Sequence, residues 1–533
     1  MSAAAVALSI EEPWRPKFNP WLIAGVVALA AFMEVLDTSI ANVALPYIAG
    51  NLAASNDDAT WVLTSYLVSN AIVLPISGWL AGAVGRKRFF MLCLFLFTVT
   101  SLLCGTASTL PILLLYRILQ GAGGGGLQPM AQAILADTFP PEKRGLAFAL
   151  YGITAVFAPT VGPTLGGWIT FNYSWRWIFF INIPVGLITL LLVNRFVEDP
   201  PYLARLRAAG RPKLDYIGVG LLTVGIGSLQ VMLDRGQEDD WFGSSFITTL
   251  AITTVVGLVS LVVWEWFHKN PIVDIRLFRN INFANASLMM FMLGFAYFSS
   301  LVMMPLFLQT VLGYTAQVAG FNISPGGLVL LFMMPVVGFL TTKVQARYLV
   351  AFGWLYLAGA MLYSTVRIDL QISFSAAMWL RVVQAACLGF LFVPINLASY
   401  IGVAPEKNNS VAGLVNFMRN MGSSVGTSFV TTMLDRRADY HQQILGGYAH
   451  LGNQNFKNAV DGLTQKLAHG GLSLHEAQGQ AIARIYRALL AQATTLAYID
   501  TFKVLAVVSA IMFVLAFTLK KNEPGGGGAV HAE

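Results

Sequence analysis

The sequence predicts an all-α integral membrane protein of fourteen transmembrane helices, built as two six-helix bundles with two further helices inserted between them. Three observations carry that expectation. The composition is too apolar for water, the apolar residues gather into fourteen long runs, and the second half of the chain restates the first.

Of 533 residues, 56% are hydrophobic and 11% charged, with a mean hydropathy of +0.66. Soluble chains carry roughly 25% charged residues, so this one lacks the polar surface to stay in water. A bilayer span needs about 20 mostly apolar residues. Runs of that kind cover 20–42, 60–82, 89–108, 111–133, 146–169, 176–194, 214–234, 246–267, 283–312, 318–340, 348–366, 375–402, 410–434 and 498–519. The first 20 residues are polar and Pro-punctuated (Glu11, Glu12, Pro13, Arg15, Pro16, Lys17), which argues against a cleaved signal peptide. The stretch 436–497 is the only long polar loop. It carries candidate helices at 455–468 and 474–495, the second opened by a capping box, Ser473-x-x-Glu476.

Basic loops face the cytoplasm in membrane proteins. With the N-terminus inside, twenty loop and terminal Lys and Arg residues lie on the inner side, from Arg15 and Lys17 through Arg86, Lys87 and Arg88 to Lys520 and Lys521. The short outer loops hold three, Arg176, Arg235 and Arg367. Both termini are therefore expected to be cytoplasmic. The net charge of +7 is mostly this topology signal, and nucleic acid is not an expected partner.

Arg117-Ile-Leu-Gln120 in the fourth run is matched by Arg381-Val-Val-Gln384 in the twelfth. Pro141-Glu142-Lys143 is matched by Pro405-Glu406-Lys407, and Gly162 by Gly426, all 264 residues apart. Earlier, Pro75-Ile-Ser-Gly78 pairs with Pro335-Val-Val-Gly338 at an offset of 260. A shift of eight spans leaves both copies facing the same way, and such parallel repeats place a substrate site near the bilayer midplane between them. The chain then divides into an N-terminal segment 1–19, a first bundle 20–194, and a linker with the inserted pair 195–268. A second bundle 283–519, containing the 436–497 loop, and a Gly-rich tail 520–533 complete it.

An ionisable side chain at membrane depth costs about 2.5–3.5 kcal/mol or more, so each needs a reason. The first run holds Glu34 and Asp37, three apart and thus on one helical face. Arg117, Arg381, Arg419 and Lys503 are the other deep charges. Mutual repulsion and burial both favour a proton on at least one of two neighbouring carboxylates, whereas arginine does not release its proton. Asp37, with Glu34, is the candidate proton-coupling site, Arg117 sets its field, and a cationic substrate competes for the same charge. The alternative is a static Asp–Arg bridge between the first and fourth spans, which would add little net stability. For Arg381, Arg419 and Lys503, function and packing stand about even. The run Gly121–Gly126 lacks the Lys-Ser/Thr of a phosphate loop and suits close helix approach, with a kink expected at Pro129. Cys93, Cys104 and Cys387 read as small buried hydrophobes, and the six histidines have no metal spacing. No catalytic residue, metal site or cofactor is expected.

Leu36-Asp37-Thr-Ser-Ile-Ala-Asn42-Val-Ala-Leu-Pro46, Leu115-Tyr-Arg117-Ile-Leu-Gln120-Gly121 and Ala158-Pro159-Thr-Val-Gly162-Pro163-Thr-Leu-Gly166-Gly167 resemble motifs of the major facilitator superfamily. They resemble in particular its 14-helix drug:proton antiporters, of which EmrB-like multidrug exporters are one group. Trp175-Arg-Trp-Ile-Phe-Phe-Ile-Asn182-Ile-Pro184, Leu233-Asp-Arg-Gly236 and Pro305-Leu-Phe-Leu-Gln309 are also similar to that family. The resemblance implies a major facilitator fold and alternating-access export of amphipathic drugs or toxic compounds across the bacterial inner membrane, driven by the proton gradient. It makes Pro159, Gly162, Pro163, Gly166 and Gly167 an antiporter motif that bends and packs the fifth span. Gly78, Gly85, Arg86 and Lys87 become a cytoplasmic gate loop, although Gly82 and Ala83 stand where the superfamily carries an acid, which puts the charge latch of that gate in doubt. Candidate cavity residues are Asn42, Gln120, Gln128, Phe298, Met304, Gln309 and Gln384. The long outer loop is similar to that of pumps working with a periplasmic adaptor protein and an outer-membrane channel; a hairpin that only covers its own exit is the plainer reading. A narrower exporter, of a siderophore or an aromatic acid, is the alternative function, and a non-transporting sensor or scaffold is a more distant one.

Overall fold

The computed structural model describes residues 14, 16–203, 214–322, 324–450 and 452–521. Most of the N-terminal segment, the linker residues Arg205, Arg207, Arg211 and Lys213, and nearly all of the Gly-rich tail lie outside those residues.

Helices occupy all fourteen expected stretches. The first half comprises α1 (Pro20–Asn51), α2 (Asn56–Val84), α3 (Arg86–Thr106), α4 (Leu110–Gly124), α5 (Leu127–Thr138), α6 (Pro141–Asn172), α7 (Trp177–Phe180) and α8 (Asn182–Phe196). The inserted pair is α9 (Tyr216–Arg235) and α10 (Ser245–Phe267). The second half holds α11 (Ile281–Leu293), α12 (Ser299–Thr310), α13 (Ala316–Phe321), α14 (Ser324–Leu340), α15 (Ala346–Arg367), α16 (Phe374–Ala386), α17 (Leu388–Ser399), α18 (Asn408–Gly446), α19 (Gln454–His469) and α20 (Leu474–Leu515). Local chemistry sets many of the ends. Asn19 caps α1 by accepting from the Trp21 N–H at 2.9 Å, Ser55 caps α2 through Asp58 at 2.9 Å, and Gly85, at φ +106°, stops α2.

Among the described residues, 12 helices are long and apolar enough to cross a membrane. The fourth and thirteenth expected spans are not among them, for different reasons. The fourth span is broken into α4 and α5, and α18 is too polar along its length to qualify. The break falls at Gly125–Gly126, ahead of the expected kink at Pro129, because proline in the first turn of α5 leaves no intrahelical bond unmade. The equivalent span of the second half breaks near the matching place, at Cys387. The helix expected to end at 495 instead continues unbroken into the last span. At 1.5 Å per residue, α20 measures about 63 Å, roughly twice the hydrocarbon thickness, so its first half stands outside the bilayer. Its capping box is formed, with Ser473 N–H donating to Glu476 at 3.2 Å.

The same packing pattern occurs twice. In the first half α1 lies on α6, α2 on α4, and α3 on α8; in the second, α11 lies on α18, α14 on α16, and α15 on α20. The halves meet along two equivalent crossings, α2 on α18 and α6 on α14. The inserted helices pack back to back, a Cβ on Gly257 falling 2.9 Å from the Gly225 Cα, and α9 lies against both α2 and α18. Outward faces are apolar, as in Val255, Val256 and Val259 of α10, which are 58–62% exposed and suited to lipid.

Candidate functional site

Asp37 and Arg117 meet in the first half. One Asp37 oxygen accepts from Arg117 Nη1 at 2.6 Å; the other accepts from Asn182 at 2.7 Å and Gln120 at 3.0 Å. Arg117 also donates to Gln120 at 2.8 Å and to the Val62 carbonyl at 3.0 Å, and its guanidinium lies 4.3 Å from the Tyr66 ring centroid. Three spans thus meet at one carboxylate, a fourth, α2, joins through Arg117, and both ion-pair partners are buried. The second half keeps the arginine without the acid. Arg381 donates to Gln384 at 2.5 Å, and Tyr297, 260 residues after Asp37, lies under its guanidinium at 5.7 Å.

Glu34, one turn earlier on α1, has different surroundings. It accepts from Tyr66 and Asn70 at 3.1 Å each and from Gln128, and it lines a cavity of about 520 Å³. A volume of that size suits a drug-sized ligand. Asp37, behind its three donors, does not line it. The cavity runs from Glu34 and Gln128 toward the face opposite the termini, past Asn42 and Leu45 of α1, Thr60 and Thr64 of α2, Leu233 and Asp234 of α9, and Thr427 and Thr431 of α18.

A polar layer that crosses between the halves forms its floor. Gln128 donates to Glu34 and accepts from Arg419 of α18 and, at 3.3 Å, from Tyr151. Tyr151 also donates to Asn416 at 3.2 Å, Asn416 donates to Gln132 at 2.5 Å, and Gln132 donates to Asn396. Gln132 and Asn396 are 264 residues apart, so they are repeat-equivalent side chains bonded to each other across the internal pseudo-twofold.

Beneath that layer the terminal face is closed. A Cβ on Gly78 would fall 2.8 Å from the Ser410 backbone, and one on Gly338 3.1 Å from that of Leu146. These are the same crossing in its two copies. Arg86, 1% exposed, pairs with Asp137 at 2.5 Å and donates to Asn409 at 2.6 Å. Asp137 also accepts from Asn408 at 2.6 Å and Tyr202 at 2.6 Å. The α2–α3 loop itself carries no acid at Gly82 and Ala83; the carboxylate that Arg86 meets comes from the end of α5, 51 residues away. Lys87 donates to the Asn194 carbonyl at 2.6 Å.

Of the expected cavity residues, Asn42, Gln128 and Phe298 line it. Gln120 is turned into the Asp37 site, Gln384 into the Arg381 pair, and Met304 into the core; Gln309 is exposed and donates to the Pro305 carbonyl at 3.2 Å. These four sit on helix faces that rotate away from the cavity. In the antiporter motif, a Cβ on Gly162 would fall 2.3 Å from the Ser39 hydroxyl and one on Gly166 3.0 Å from Ile40, so both glycines seat α6 on α1. A Cβ on Gly167 would meet only Val43, at 3.9 Å, and Pro159 and Pro163 leave α6 a single helix. Sequence reasoning did not single out Asn70, Gln132, Asn396, Asn416 or Asp137, and it quoted Asp234 only within Leu233-Asp-Arg-Gly236, with no role. Polar residues inside apolar runs were the available signal.

The model for the major facilitator superfamily matches residues 27–427. The chain is 36% identical to the multidrug export protein EmrB of Escherichia coli K12, over 95% of this chain and 96% of that protein. It is 41% identical to EmrB of Haemophilus influenzae, over 79% and 82%, and 36% identical to the fatty acid resistance protein FarB of Neisseria gonorrhoeae, over 94% and 96%. Among solved structures, the proton:xylose symporter XylE superposes with a TM-score of 0.60 at 14% identity, covering 94% of this chain and 96% of that one. The human organic anion transporter MFSD10 gives 0.57 at 13%, covering 94% and 100%. The chain belongs to the major facilitator superfamily and, within it, to the EmrB-like multidrug export proteins, a family of transporters rather than enzymes.

Proposed function

We propose that this protein exports amphipathic drugs or other toxic compounds in exchange for protons, by alternating access of the cavity between its two halves. The observation that carries the reading is the cavity itself, with a buried carboxylate on its wall and a polar floor that spans the halves. The termini and basic loops would face the cytoplasm, so the cavity as it stands opens outward.

Glu34 is the carboxylate through which proton and cargo compete. Ionised, it holds Gln128, and Gln128 holds Arg419 of the other half. A proton on Glu34 removes one acceptor from that chain and loosens the floor, favouring the opposite state. Asp37 fixes the field: its pairing with Arg117 is closed off from the cavity, and a change there is felt by Glu34 through Tyr66, which touches both Glu34 and Arg117. The protruding part of α20, with α18 and α19, forms an outer helical projection that suits a periplasmic adaptor protein leading to an outer-membrane channel.

The test is to express the protein in efflux-deficient bacteria and follow a lipophilic dye while an ionophore collapses the proton gradient. Gradient-dependent expulsion is expected in the wild type. Glu34→Gln and Asp37→Asn should each lower it at least about tenfold at equal membrane abundance, as expected when a buried ionised partner of 1.5–3 kcal/mol is lost. Expulsion that survives the ionophore, or both substitutions, would overturn proton coupling through this pair.

A further inference from the structure

We propose that Asp234 of the inserted helix α9 is a substrate-contacting residue that selects cationic amphiphiles carrying N–H donors, such as protonated amines or amidiniums. The inserted pair would then belong to the binding site and not serve merely as a spacer. The inference rests on the transport reading above and names a substrate class for the same cavity.

Three cavity-lining oxygens are buried without a hydrogen-bonding partner among the described residues: Asp234 Oδ2, Gln230 Oε1 and Ser428 Oγ. Two of them sit four residues apart on α9, one helical turn, and so face the same way. Ser428 lies on α18, four residues from Ser424. Asp234 Oδ1 accepts from Gln230 at 3.0 Å, and the same Gln230 amide donates to Ser424 of α18 at 3.1 Å, which fixes the glutamine with its carbonyl oxygen left over. Thr64 of α2 stands beside the carboxylate. Two of the three oxygens, those of the ionised carboxylate and the amide carbonyl, can only accept. The ligand that completes them must bring donors, and a cation satisfies the carboxylate as well.

No basic side chain already fills that role. Arg235 is already engaged, with Glu238 at 2.8 Å and with the Asp57 carbonyl and the Thr60 hydroxyl of α2. Arg419 is engaged at the floor with Gln128. Asp234 forms no ion pair among the described residues. Its anchor on α2, Thr64, lies about 6 Å along the helix axis from the midpoint of Tyr66 and Asn70, which hold Glu34. Asp234 and Glu34 are thus two carboxylates on the wall of one cavity.

The experiment compares ethidium, a cation with amino donors, with Nile red, a neutral lipophile, in cells and on purified protein. Asp234→Asn should lower the ratio of ethidium to Nile red expulsion at least about tenfold, the scale of one charge-assisted hydrogen bond, and weaken ethidium binding to the detergent-solubilised protein by a similar factor. Asp234→Glu should keep the ratio within about threefold of wild type, since it retains the charge. Parallel loss of both dyes would assign Asp234 a structural role, and an unchanged ratio would exclude it from recognition; either overturns the proposal. Wild-type protein that binds ethidium yet expels neither dye would instead overturn the transport reading on which the proposal stands.

Discussion

The double substitution Asn408→Ala, Asn409→Ala probes how the closed terminal face is held. Both asparagines belong to α18 and are 3% exposed, and both bond to charged groups of the other half: Asn409 accepts from Arg86 at 2.6 Å and Asn408 donates to Asp137 at 2.6 Å. The Arg86–Asp137 pair lies wholly within the first half and stays intact. Hydrogen bonds to charged groups are worth about 1.5–3 kcal/mol each. Taking the lower value for both, because water re-enters the space left by the amides, the closed face loses about 3 kcal/mol. At 1.4 kcal/mol per factor of ten, that shifts the equilibrium between the two faces about 150-fold toward opening on the terminal side. Spin labels at Lys143 and Lys343, both exposed on that face and in opposite halves, report the change by pulsed electron resonance. The three native cysteines are buried and are replaced by serine first. Wild type should give one short distance and the double variant a dominant longer one. An unchanged distribution in folded protein would refute the claim that these bonds hold the face shut, leaving the glycine crossings as its closure.

Those crossings give a separate expectation. Gly78→Val places side-chain carbon against backbone atoms of Ser410 at 2.8–2.9 Å, where no rotamer relieves the clash, so dye expulsion should fall at least about tenfold while membrane abundance stays near wild type. Deleting 446–490 removes the outer projection but leaves Asp500 with its partners Arg437, at 2.5 Å, and His441, at 2.8 Å. Association with a periplasmic adaptor, measured by cross-linking and co-purification, should be lost while transport into the periplasm survives; retained association would tell against the projection as the docking element.

Composition alone fixed the solvent of this protein, since a chain with 11% charge and runs of twenty apolar residues has no stable form but a bundle in lipid. The offset of 264 residues fixed the parallel duplication, and it reappears in space as the Gln132–Asn396 contact and the paired Gly78 and Gly338 crossings. The proximity of Glu34 and Asp37 was legible too, because three residues on a helix share a face wherever that helix goes. Helix rotation and crossing were not, and they decided the rest. They open Glu34 to the cavity while closing Asp37 behind Asn182, Gln120 and Arg117. They bring Asp137 to Arg86 across 51 residues of chain, and they lay an inserted helix with no repeat partner against both halves, so that Asp234 joins the cavity wall. Periodicity records which residues share a side of one helix; which side meets which neighbour is set by packing among all fourteen spans at once, and only the tertiary structure holds that answer.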